Sequence, residues 1–418
     1  MGAVFAFLAA AAAAAQPTPA CTATLCNGEA LRPFFAALEA RRSFPPKAGA
    51  AIAQPVHILQ LGDSHTAGDM ITHPLREAFQ LGYGHGGRGV LPPGRPYPGY
   101  LTWGVTASQT GAWSVSSIFG RGYSVAGRPV GLSGYTLTSR DPDAAIGVSS
   151  DDEANRFDRM TVCALREPGA GTVTLRIGGR EERWALDSPR REAECRSLDS
   201  EGLVGAASLA KEDMRMVSIT SFATFRRSGG VALSNLGVSG SQLVHQGRQH
   251  DSVAEAELRA YRPDLIVLAF GTNEGFSPRF DAAGYEANLR NQIARIRRLA
   301  GRSVPILIVG APDAATRNRA LANNSGVGRI CSNGAYTPGA LGGVREIQRR
   351  VARELRIAFW DWQRAMGGAC SAASWTARGL MRADLVHFSR SGGAEIGRLL
   401  FRDLASAGPA PAPLFRPQ

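Results

Sequence analysis

Apolar positions along the chain follow two different rhythms. Leu31, Phe34, Phe35 and Leu38 recur at helical spacing within residues 29–42, and Pro45-Pro46 stops the pattern. Val56-His57-Ile58-Leu59-Gln60-Leu61-Gly62 then reads as a strand, and residues 70–80 as a helix. From about 95 to 228 the period shortens. Alternating runs such as Ser133–Leu137, Arg159–Leu165 and Thr172–Ile177, broken by Gly, Pro and Asp, predict β-strands of a sandwich or jelly roll. Beyond 229 continuous apolar runs return at Val231–Leu236, Leu265–Phe270, Val304–Val309 and Ile357–Trp360. Helical patterns near 241–260, 284–300, 340–355 and 392–405 separate or follow them. That alternation predicts a parallel sheet covered by helices on both faces. If the 56–62 strand belongs to the same sheet, residues 95–228 form an insertion.

With 418 residues, 44% hydrophobic and 20% charged, the chain is long enough for one or two sizeable cores, and its composition excludes wholesale disorder and a small disulfide scaffold. The formal charge is +12, and Lys47 and Lys211 are the only lysines among 47 basic residues. The arginines are spread along the chain instead of gathered into one face, which argues against nucleic acid as a partner.

Ala3 to Ala15 is an unbroken apolar run ending in small residues. It is shorter than the roughly 20 residues a membrane span needs, so residues 1–20 read as a secretory signal, although no Lys or Arg precedes the run. No transmembrane segment is expected after its removal. Cys21 follows Thr18-Pro19-Ala20, a poor lipobox. Six cysteines are even in number; Cys21/Cys26, Cys163/Cys195 and Cys331/Cys370 are the sequence-nearest pairs, but spacing does not fix connectivity. No metal-ligand spacing is present, and no cofactor is expected.

Gly62-Asp63-Ser64-His65 ends the first strand, placing Ser64 at the carboxyl edge of the sheet as a candidate nucleophile, although a serine there more often caps a helix. Asp384-Leu385-Val386-His387 offers a general base and an acceptor to hold its tautomer from one turn. Gly240, after the second run, and Asn273, in Gly271-Thr272-Asn273-Glu274 after the third, can donate N–H groups to an oxyanion. Each also has an ordinary reading as a turn glycine or a loop-capping amide. Gly84-His85-Gly86-Gly87-Arg88-Gly89 fits Gly-x-Gly-x-x-Gly but follows a helix, and Ser208-Leu209-Ala210-Lys211 lacks its companion motifs, so both are set aside. Trp103, Trp113, Tyr123, Tyr135 and Trp184 are expected to be core for the most part. His245 and His250 are expected on a surface helix, and Asp69 at a helix start.

The order Ser64, Gly240, Asn273, Asp384/His387 resembles the SGNH (GDSL-type) hydrolase family over roughly 50–95 and 229–406. His65 stands where the family name has Leu, and Glu274 where Asp often follows the Asn. The long interval between Ser64 and Gly240 is similar to that of secreted Gram-negative peptidoglycan O-acetylesterases, which carry a carbohydrate-binding-module-like insert there. The resemblance implies a three-layer α/β/α flavodoxin-like parallel sheet, the SGNH hydrolase fold, with a discontinuous catalytic domain (21–94 and 229–418) and an inserted all-β sandwich or jelly-roll domain (95–228). It further implies catalytic Ser64, Asp384 and His387, and an oxyanion hole made by Ser64, Gly240 and Asn273. The implied function is a periplasmic or secreted serine esterase that removes O-acetyl groups from an acetylated glycan, peptidoglycan first. An envelope-glycan O-acetyltransferase and a non-catalytic glycan-binding protein are the alternatives.

Overall fold

The structure, a computed structural model, describes residues 21–42, 54–323, 326 and 328–408. The expected signal at 1–20 and the Pro45-Pro46 helix stop lie outside the described residues.

A six-stranded sheet runs Leu25–Cys26, Ala358–Trp360, Ile306–Val309, Leu265–Ala269, Val56–Gly62, Val231–Gly237. The Leu25–Cys26 edge pairs antiparallel with Ala358–Trp360, and the other pairings are parallel. Counting the parallel strands along the chain, their spatial order is 2-1-3-4-5, that of flavodoxin-like sheets, with the reversal of direction beside strand 1. Every residue of Val56–Gly62 is buried. Its side chains alternate between two cores, as a strand with both faces covered requires. Val56 and Ile58 pack with Phe34, Phe79, Trp360 and Leu400. Leu59 and Leu61 pack with Leu258, Ile293 and Val351 on the other side. The helices Arg32–Arg42, Thr72–Tyr83 and Arg390–Ala407 therefore cover one face, and Asp251–Tyr261, Ala282–Ala300 and Gly339–Glu354 the other.

Two antiparallel sheets arise between the first and second parallel strands. One orders Arg180–Ala185, Thr172–Ile177, Ala206–Lys211, Ala145–Ser150 and Val105–Thr110. The other orders Glu192–Val204, Phe157–Arg166, Val217–Phe225, Tyr135–Ser139 and Ser114–Ser117, with Gly89–Leu91 also pairing Val217–Phe225. Both feed one apolar core that includes Trp184, Leu175, Val162 and Phe222. The β character thus begins at Gly89, before residue 95, and the Val90 N–H reaches across to Ser234 Oγ of the parallel sheet (2.6 Å).

Disulfides join Cys21 to Cys26, Cys163 to Cys195 and Cys331 to Cys370. Among the described residues no helix is long and apolar enough to cross a membrane.

Three expectations need correction. The 241–260 pattern is not one helix: a 3₁₀ turn at Leu243–Arg248 precedes the helix Asp251–Tyr261. Arg295 donates to the carbonyls of Gln246 (3.2 Å) and Gln249 (3.1 Å), groups that a continuous helix would pair internally, and Glu274 accepts the Leu243 N–H (2.7 Å), one of the first-turn donors that a helix leaves unpaired. His250 is exposed, but His245 is buried, stacked on Phe119 with centroids 4.5 Å apart. Burial, and then Arg248, lowers the His245 pKa to about 4. Of the five aromatic residues expected in the core, only Trp184 and Tyr135 are buried; Trp103 and Trp113 are half-buried and Tyr123 is exposed beneath the Arg248 guanidinium.

Candidate active site

Register brings the candidate residues to one edge. Gly62 lies opposite Gly237 on one side and Ala269 on the other, so the segments carrying Ser64, Gly240 and Asn273 leave three adjacent strands at the same level. This is the ligand-binding edge of an open α/β sheet. Gly62 is required by close approach: a Cβ there would sit 2.1 Å from Thr66 Oγ1 and 2.8 Å from the Ala269 carbonyl oxygen. The chain then turns into the short helix Ser64–Ala67, capped by Asp63, whose Oδ1 accepts the His65 N–H (3.0 Å).

Ser64 Oγ lies 3.0 Å from His387 Nε2, and His387 Nδ1 lies 2.9 Å from Asp384 Oδ2. Asp384 Oδ1 accepts the N–H groups of Val386 and His387, both at 2.9 Å, which folds the Asp-x-x-His segment into one turn. Burial pushes the Asp384 carboxyl up, but those two N–H groups and the His387 ring outweigh it and hold its pKa below the usual value. With Asp384 ionised, the arrangement selects the tautomer protonated on Nδ1 and leaves Nε2 to accept from the serine hydroxyl.

His65 ties the two ends of the site together. Its Nδ1 faces Asp63 Oδ1 (3.3 Å) and its Nε2 the Val386 carbonyl (3.0 Å). Both partners are acceptors, so two bonds require a doubly protonated ring. Burial opposes that charge, but Asp63 and the Val386 carbonyl outweigh it and raise the His65 pKa.

The oxyanion candidates are less uniformly placed. Gly240 has φ +78°, and a Cβ there would meet the Phe119 ring at 2.9 Å, so both backbone conformation and space call for glycine. Asn273 Nδ2 donates to the Ser241 carbonyl (2.9 Å), which fixes the amide, and its contact to Asp63 Oδ2 is long at 3.4 Å. Gln242 Nε2 donates to the Asn273 carbonyl (3.2 Å), closing a mutual brace between the two segments. Glu274, which the sequence reading treated only as a departure from a motif, adds to this brace through the Leu243 N–H. Its Oε2 is buried with no hydrogen-bond partner among the described residues, and burial raises its pKa to about 7.

A cavity of about 270 Å³ opens over Ser64 and His387, walled by Met70, Ile71, Tyr97, Leu101 and Arg382. Ser239 lines it, whereas Gly240 beside it and Asn273 on the next segment do not. Tyr97, Leu101 and Arg382 carry no motif signal, because their approach to Ser64 depends on how distant loops are placed. Asp69 does more than start a helix. It accepts from Thr72 Oγ1 (2.6 Å) and the Trp103 N–H (3.0 Å), and it pairs with Arg76 (3.0 Å) and Arg88 (3.2 Å), both buried like Asp69 itself. The two arginines outweigh burial and hold its carboxyl far below the usual range. Among the described residues no group of three or more His, Cys, Asp or Glu is arranged to hold a metal ion.

The model of the GDSL-like Lipase/Acylhydrolase family matches residues 215–394, a stretch that holds Gly240, Asn273, Asp384 and His387 and leaves out Ser64. A solved peptidoglycan O-acetylesterase superposes with a TM-score of 0.72 at 26% identity, over 90% of this chain and 95% of that one. The chain is an SGNH esterase. It resembles the peptidoglycan O-acetylesterases along nearly its whole length, including the part that the family model does not reach. A family two carbohydrate esterase from Cellvibrio japonicus (TM-score 0.27, 12% identity, 72% of this chain and 98% of that one) is also similar. So is the salicylyl-acyltransferase SsfX3 from a tetracycline biosynthetic pathway (0.31, 14%, 66% and 82%). At those scores neither adds to the description of this SGNH esterase. No curated protein matches the chain.

Proposed function

We propose that this SGNH esterase is exported and removes O-acetyl groups from a cell-wall polysaccharide, peptidoglycan first, through an acetyl-serine intermediate. The observation that carries the reading is the 3.0 Å approach of Ser64 Oγ to His387 Nε2, with Asp384 behind the imidazole. Ser64 Oγ attacks the acetyl carbonyl as His387 Nε2 takes its proton. Asp384 holds the ring and stabilises the imidazolium. The Ser64 and Gly240 N–H groups and the Asn273 amide receive the oxyanion. His387 then protonates the leaving sugar oxygen, and a water activated by the same imidazole hydrolyses the acetyl-enzyme.

Three disulfides support a periplasmic or secreted location, where thiols oxidise. The two antiparallel sheets on a shared core support reading 95–228 as an inserted sandwich, with glycan binding as its role. The similarity to a peptidoglycan O-acetylesterase supports the substrate.

Acetate release from O-acetylated peptidoglycan and from acetylated xylan, measured side by side, tests the proposal. The expected result is faster release from peptidoglycan and none from Ser64→Ala. Equal release by Ser64→Ala, or no labelling of Ser64 by a fluorophosphonate in a protein that still binds peptidoglycan, would remove the enzymatic mechanism. Transfer of acetyl from an activated donor to the glycan, without acetate release in water, would replace hydrolysis by transfer.

A further inference from the structure

We infer that Arg382 is a specificity residue that reads a carboxylate carried by the glycan beside the acetyl ester. The inference rests on the reading of Ser64 as nucleophile and narrows its substrate to acidic acetylated glycans.

The cavity over Ser64 is walled mainly by apolar and small side chains, with no Asp or Glu in its lining, and Arg382 brings a permanent positive charge to it. Nearby arginines are occupied. Arg76 and Arg88 pair with Asp69, Arg390 lies over the Trp103 ring at 4.9 Å, and Arg378 over Trp375 at 6.0 Å. The Arg382 guanidinium, by contrast, touches the Met70 thioether (3.8 Å) and has no carboxylate within ion-pair distance among the described residues. Arg382 is exposed, and a guanidinium without a counter-ion leaves its planar fork available for bidentate binding of a carboxylate.

Its base is fixed on the same turn as the proposed acid–base pair. The Arg382 N–H donates to the His387 carbonyl (2.7 Å), and the Leu385 N–H donates to the Arg382 carbonyl (3.0 Å). The side chain therefore starts from a backbone position held relative to His387, and Arg382 and Ser64 line the same cavity of about 270 Å³. An ester on a ring that itself bears a carboxylate, as muramic acid does on its lactyl ether, offers both groups to one such cavity. A neutral acetylated xylan does not supply the anion.

The test uses the full chain and one acetylated muramic acid-containing oligosaccharide in two forms, with the lactyl carboxylate free or converted to its primary amide. Wild type should favour the free acid by about tenfold in kcat/KM, the scale of one charge-assisted hydrogen bond at a partly exposed site. In Arg382→Gln that ratio should fall to about one, and in Arg382→Lys it should lie between. The ratio is the readout, because a structural loss lowers both substrates alike and leaves it unchanged. A wild-type ratio of about one, or a ratio preserved in Arg382→Gln, overturns the inference. Full hydrolysis by Ser64→Ala would instead sink the proposed nucleophile, which separates the two failures.

Discussion

At the scale of single residues, the candidate site divides into the Ser64–His387–Asp384 chain and the groups that hold it. Asp384 has its place through geometry: two N–H groups and an imidazole converge on its carboxylate. Asp384→Asn keeps the turn nearly isosteric but reverses one hydrogen-bonding role, presenting an amide donor or forcing the wrong imidazole tautomer. Its kcat should fall by about 10⁴-fold with little change in fold, measured by acetate release together with circular dichroism. Glu274 makes a different prediction. Its folded pKa is raised from 4.5 to about 7 by burial, so the folded chain keeps a proton that the unfolded chain has released. Stability should therefore fall as pH climbs between those values and level off above about 7. Glu274→Gln still offers an oxygen to the Leu243 N–H and has no charge to bury. Denaturant midpoints across pH should show this part of the slope in wild type and lose it in the variant; an identical slope in both would refute the assignment.

At the scale of elements, what the sequence made legible follows burial. The strands at 56–62, 172–177, 231–236 and 265–270 appear within a residue of their expected bounds, because a buried strand leaves an unbroken or alternating apolar record. Where polar side chains decide the backbone, the record fails. The 241–260 segment breaks where Arg295, on another element, donates to the carbonyls of Gln246 and Gln249, which no local period encodes. The candidate site was legible as four motifs, since the chemistry fixes the residue types. The braces around it were not: His65 bonding Val386, Gln242 bonding Asn273 and Asp69 pairing with both Arg76 and Arg88 all depend on residues brought together from separate segments. Asp69 joins the start of the Thr72–Tyr83 helix, the approach to Gly89–Leu91 and the Trp103 backbone. Asp69→Asn leaves Arg76 and Arg88 buried without a counter-charge and should cost about 3–5 kcal/mol by urea unfolding, the cost of breaking a buried pair.

At the scale of the whole molecule, one chain serves two architectures. The parallel sheet is interrupted after its first strand–helix unit and resumes at Val231, and the rejoined strands lie side by side in perfect register from Val56/Val231 to Gly62/Gly237. A long excursion costs little entropy when the ends that it connects are already neighbours. The Cys163–Cys195 bridge lies within the excursion, and Cys331–Cys370 links the segment after the fourth parallel strand to the helix Ser371–Ala377. Each architecture therefore has its own covalent tie, while Val90 and Asp69 cross between them.

Tyr97 and Leu101 reach the cleft from the leader of the β-rich excursion, whereas Ser64 and His387 come from the parallel scaffold. This side of the wall and the Ser64–His387 pair thus belong to separate stretches of polypeptide, while Met70, Ile71 and Arg382 of the same wall come from the scaffold that carries the pair. Substitutions at Tyr97 and Leu101 can therefore reshape that side of the opening while leaving the Ser64–His387 contact in place.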